Sequence, residues 1–132
     1  MGEWTKLGSV DVGSIYFKNA SQNAQLYLGL FTNDYLGDLN DLTFALIVEP
    51  IATTYARAPL NPANWMQSGE LLIHPVVEFE VSLEPLGIIY GAFIATSLYN
   101  SGRLVAAQKF TSPYDLLYYG DLLEITPKIM IT

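Results

Sequence analysis

The clearest signal along this chain is a period of two in its apolar positions. In Val76–Leu83, VVEFEVSL, the residues Val77, Phe79, Val81 and Leu83 alternate with Glu78, Glu80 and Ser82. That pattern predicts a strand with one face inward and one in water. Gln25–Thr32 sets Leu26, Leu28 and Leu30 against Tyr27, Gly29 and Phe31, and predicts a second strand. Leu86–Thr96, LGIIYGAFIAT, has no charge on either face and predicts a strand covered on both sides. Strict alternation there places Ile88, Tyr90, Ala92 and Ile94 opposite Ile89, Gly91, Phe93 and Ala95. A glycine at the centre of such a run implies a bulge, a bend or a close neighbouring backbone.

The same reading predicts strands over Leu42–Glu49, Glu70–Ile73, Leu104–Phe110 and Leu122–Ile131. Turn signals separate them at Asn33-Asp34, Ser68-Gly69, Tyr99–Gly102, Ser112-Pro113 and Gly120-Asp121. Pro127 marks an edge position or a bulge in the last strand. Ahead of Gln25, Asp11 could cap a short helix over Val12–Asn19, and an edge strand or an ordered arm are the alternatives. About eight short extended segments without a long amphipathic helix predict an all-β, single-domain antiparallel β-sandwich or small β-barrel, jelly-roll-like. An N-terminal arm or short helix would occupy residues 1–24 and the sandwich residues 25–132.

Composition narrows the function classes. Half of the 132 residues are hydrophobic, yet no run reaches the ~18 to 20 apolar residues of a membrane helix. The first residues, MGEWTKLGSV, do not follow a signal-peptide pattern. Six basic against thirteen acidic residues give a net charge of −7, which argues against a nucleic-acid partner. Only 14% of residues are charged, where roughly 25% is usual. Either other protein covers much of the surface, or the sandwich is simply well filled.

Candidate chemistry is sparse. The chain has no cysteine and one histidine, His74, so disulfides, thiolate chemistry and multi-histidine metal sites fall away. His74 is the sole base available to a nucleophilic triad, and no G-x-S-x-G surrounds any serine. Glu78 and Glu80 lie on one strand face roughly 7 Å apart, a spacing open to glycoside hydrolysis but ordinary for a solvated face. Asn33, Asp34, Asp38, Asn40 and Asp41 crowd a turn-rich loop without the spacing of a calcium loop. No phosphate-binding glycine motif is present, so no catalytic residue, metal or cofactor is expected. The aromatic residues say more. Nine tyrosines and two tryptophans suit a protein interface or a sugar-stacking platform. Tyr55, Arg57, Trp65, Tyr114, Tyr118 and Tyr119 are the candidate contact residues, with Arg57 also suited to a buried ion pair or a stacked guanidinium.

Four pieces taken together carry a resemblance: LYLGLFTND (Leu26–Asp34), TYARAPLNPANW (Thr54–Trp65), IIYGAFIAT (Ile88–Thr96) and YYGDLLEITPKIMIT (Tyr118–Thr132). In this order they resemble small structural proteins of tailed bacteriophages, with L-x-L-G-L-[FY]-T-N, then G-Y-[AV]-R-x-x-L and a tryptophan, an apolar strand with a central glycine, and a closing G-D-x-L strand. Thr54 stands where that pattern has glycine. The resemblance implies a non-enzymatic virion component assembled in the host cytoplasm. Its expected form is a capsid decoration (cement) protein, often trimeric, that binds the major capsid protein; a tail-associated subunit is the alternative.

Overall fold

The computed structural model describes residues 9–17, 25–99 and 102–130. Among these residues nine strands form two sheets. The first sheet contains β1 (Ser9–Phe17), β4 (Met66–Ser68), β5 (Leu71–Ile73), β6 (Val77–Glu80) and β9 (Leu122–Met130). The second runs β3 (Ala58–Leu60), β2 (Leu26–Phe31), β7 (Gly87–Ala95) and β8 (Leu104–Leu116). The fold is therefore the expected all-β sandwich, open rather than closed into a barrel. Among the described pairings one departs from the antiparallel rule: β1 lies parallel to β9, Ser9 opposite Leu122 and Phe17 opposite Ile129. The helix considered over Val12–Asn19 is thus replaced, as far as Phe17, by the edge-strand alternative. The remainder of that segment lies outside the described residues, as does the rest of the 1–24 arm.

Each leucine of β2 points between the sheets. Leu26, Leu28 and Leu30 meet Ile89, Ala92 and Ile94 of β7, Phe79 of β6, and Leu123, Ile125 and Ile129 of β9 in one core. The alternation of β9 supplies Leu123, Ile125 and Ile129 to that core. Burying a large aliphatic side chain is worth about 1.5–3 kcal/mol, so this face dominates stability.

Departures from the sequence reading have local causes. Strict alternation fails in β7, because Ile89, Ala92 and Ile94 face the core while Tyr90, Phe93 and Ala95 pack on the opposite side. The phase slips at Tyr90–Gly91, where the register with β8 also shifts: Ile89 pairs with Tyr114 but Gly91 with Lys109. That bulge absorbs Ser112-Pro113, so β8 continues through the predicted break. Pro127 sits in a central strand rather than at an edge. It falls at the junction where β9 hands over from β6, ending at Ile125, to β5, beginning at Lys128, and its carbonyl accepts from His74 N–H. A missing ladder donor is tolerated at such a gap.

Leu42–Glu49 is not a strand. It makes a 3₁₀ turn at Phe44–Leu46 and lies over the outer side of the second sheet. Phe44 and Ile47, three residues apart, drop onto Phe31, Phe93 and Ala95 there. This cover explains why β7 is apolar on both faces. Leu83, expected inward, is 85% exposed because β6 ends at Glu80 and Leu83 belongs to the following loop.

Candidate functional site

Under the cover, Arg57 is the most elaborately bonded side chain. The chain reaches it through a turn closed by Tyr55 N–H to Ala52 C=O, and Ala58 then begins the short run of β3 along β2. Arg57 is only 4% exposed. Its Nε and Nη2 donate to the Glu49 carboxylate at 3.1 and 2.7 Å. Its Nη1 donates to the carbonyls of Ser97 and Tyr99 at 2.9 and 3.2 Å. The guanidinium carbon stands 4.9 Å from the Phe93 ring centre and 5.1 Å from that of Phe44, within cation–π range of both. One side chain thus ties together the cover, the approach to β3 and the turn after β7.

Two glycines make room for this arrangement. Gly29 is directly opposite Phe93, and Gly91 directly opposite Phe31. A Cβ on Gly29 would enter the Phe93 ring, and one on Gly91 would enter the Phe31 ring and come within 2.5 Å of the Gln108 carbonyl. Each phenylalanine lies flat over the bare backbone of its partner, which brings Phe93 within reach of Arg57.

Tyr55 completes the cluster. Its hydroxyl donates to Glu49 Oε1 at 2.7 Å and accepts from Leu30 N–H at 3.0 Å, and its ring stacks on Phe79. Burial first, and the bond to an anionic carboxylate second, hold the phenol protonated well above its ordinary range. Above about pH 10 the unfolded chain loses this proton while the folded chain keeps it, so stability falls as pH rises by up to about 1.4 kcal/mol per unit. Tyr55→Phe should remove that share of the alkaline slope. At neutral pH the same variant should cost about 1–3 kcal/mol, because Leu30 N–H loses its acceptor. Urea unfolding of both proteins at pH 8 and pH 11 checks both statements; equal slopes would contradict the assignment.

The other candidates are dispersed. Trp65 is half-buried against the core, edge-on to His74 with ring centres 5.1 Å apart. His74 is buried and its Nδ1 lies 2.8 Å from the Pro75 carbonyl. Among the described residues, Trp65 Nε1 and His74 Nε2 are buried without a hydrogen-bond partner. Tyr114 packs edge-on against Phe110. Tyr118 and Tyr119 stand out from the turn before β9, where Asp121 accepts from the N–H groups of Leu117 and Tyr118. Of the six contact candidates, Arg57 and Tyr55 therefore serve this chain's own interior, Trp65 and Tyr114 are half covered by it, and Tyr118 and Tyr119 remain outward. The ion pair and the stacked guanidinium considered for Arg57 are both present.

Glu78 and Glu80 are exposed, with Glu124 directly across from Glu78 in the register. In the acidic loop Asp34 pairs with Lys109, while Asn33 bonds the backbone of Leu46 and Val48. No group of three or more metal-ligating side chains is found among the described residues. No described helix is long and apolar enough to cross a membrane. Glu49, Phe44 and Gly29 were not singled out by the sequence. The available signals were a lone acid closing an apolar run before Pro50, and a glycine in register with an aromatic.

No family model matches the chain, nor does any curated protein or solved structure.

Proposed function

We propose that this chain is a non-enzymatic assembly subunit that works by seating its surface on other protein chains. The observation that carries the reading is a contrast between inside and outside. The charged cluster at Arg57 has its hydrogen bonds committed within the chain, with Glu49 Oε1 accepting from both Tyr55 and Arg57. Outside, large apolar residues such as Ile51, Leu83 and Tyr119 stand in solvent. Exposed apolar surface of this kind marks interaction sites. Resemblance of the sequence to tailed-phage structural proteins gives the reading its particular form: a virion subunit, foremost a decoration protein bound to the major capsid protein as an oligomer. A carbohydrate-binding role is less well supported, since Trp65 is half-buried against the core rather than standing clear of it as a platform.

The test is saturation of purified phage shells that lack this protein, with light scattering giving the mass of the free form. Saturable binding at a fixed number of copies per shell, by an oligomer, is the expected result. A monomer that leaves shells bare would remove the decoration reading.

A further inference from the structure

Six of the twelve large hydrophobic residues exposed among the described residues collect at one end of the sandwich. Three loops meet there and are fastened to one another. Thr53 N–H donates to Glu84 Oε1 at 2.9 Å, joining the 49–54 and 82–86 loops. Val81 exchanges backbone bonds with the 117–121 turn, donating to Asp121 C=O and accepting from Gly120 N–H. Leu86 N–H donates to Leu116 C=O, and Thr32 N–H to Val48 C=O beside the start of β7. These bonds place Val48, Ile51, Leu83, Ile88, Tyr118 and Tyr119 on one end, with Ile51 95%, Tyr118 74% and Tyr119 78% exposed.

Among the described residues, the loops of that end carry charge of one sign. Residues 47–56, 76–102 and 111–127 contain no lysine or arginine. Glu80, Glu84 and Asp115 are exposed around the apolar residues. Resting on the assembly reading above, we infer that this loop end is the docking surface, and that its partner is a protein presenting an apolar patch rimmed by lysine or arginine. A second copy of this chain would set acid against acid, and an anionic membrane surface would be repelled for the same reason.

The probe is a synthetic amphipathic helical peptide of leucine and lysine, titrated into the full chain and followed by backbone amide shifts. Shifts confined to residues 48–54, 82–88 and 115–121 are expected, with affinity that falls as salt rises. Leu83→Ser with Tyr119→Ser keeps every charge and alters only exposed side chains, so circular dichroism should match wild type while affinity drops about tenfold or more. Asp115→Lys should weaken binding by its charge alone. Wild-type affinity in the double variant, or shifts centred elsewhere, would overturn the inference. So would a concentration-dependent dimer abolished by the double variant, or tighter peptide binding after deletion of residues 1–8, which would seat the chain's own N-terminal segment on the patch. Shells separate the two readings. Wild-type and double-variant proteins that bind shells equally would remove the docking surface and leave the assembly role. Bare shells would remove the virion role while the peptide still reports on the surface.

Discussion

Replacing Arg57 with alanine is expected to lower the unfolding free energy by about 3–5 kcal/mol, the range for breaking a buried ion pair from one side. The loss has three sources. Glu49 keeps its charge without its cation, the Ser97 carbonyl loses the Arg57 donor and the Tyr99 carbonyl one of its donors, and the rings of Phe44 and Phe93 lose the guanidinium packed against them. Arg57→Lys should recover only part of this, because an ammonium cannot bond the carboxylate two-pronged while also packing against both rings. Glu49→Gln should cost less, about 1–3 kcal/mol, since the isosteric amide keeps the packing around Arg57 and its oxygen still accepts from the guanidinium. Urea unfolding of the three variants gives the ranking. Arg57→Ala within about 0.5 kcal/mol of wild type would contradict it.

The second large effect is expected at Gly91. Alanine there meets a backbone carbonyl, Gln108, that cannot swing aside, and the fully buried ring of Phe31. Gly91→Ala should cost about 3 kcal/mol or more, at or above the upper end for overpacking. Gly29→Ala meets first the Phe93 ring, a side chain rather than backbone, and should cost about 1–3 kcal/mol. Coupling distinguishes this from a loss of backbone freedom. Combined with Phe31→Leu, the Gly91→Ala penalty should shrink, because the two substitutions share one contact. Strict additivity would mean that the ring does not lie over the glycine.

Much of the fold was legible because β6 and β9 carry their burial in a period of two, and Gly69 and Gly120 mark turns at positive φ. What periodicity could not show was position. The run Leu42–Glu49 is as apolar as a strand, yet it serves as a cover whose Phe44 and Ile47 use a spacing of three. Pro127 reads as an edge signal, and only the handover between two short strands allows it a central place. The slip at Tyr90–Gly91 was half legible. Its glycine announced a close approach, but the extra residues of β8 that create the bulge lie some twenty positions away.

The same limit applies to the Arg57 cluster. An arginine next to aromatic residues reads equally as a contact residue or as a buried clamp, because its partners Glu49, Phe93 and Ser97 lie up to forty residues away. Exposure of Tyr118 and Tyr119 was similarly open until Asp121 was seen to hold their turn outward. Chemistry-bearing types were visible in the sequence. Which of them face a partner depended on folding.

On the proposed reading, contact is made by the loop end and the Arg57 cluster acts only on stability. One assay tests this most directly: saturation of shells lacking the protein by wild type, Arg57→Lys and the Leu83→Ser/Tyr119→Ser double variant, in the cold, with folding verified by circular dichroism. The predicted result is saturation by wild type and by folded Arg57→Lys, with the double variant failing to bind. Failure of folded Arg57→Lys alongside normal binding of the double variant would contradict it.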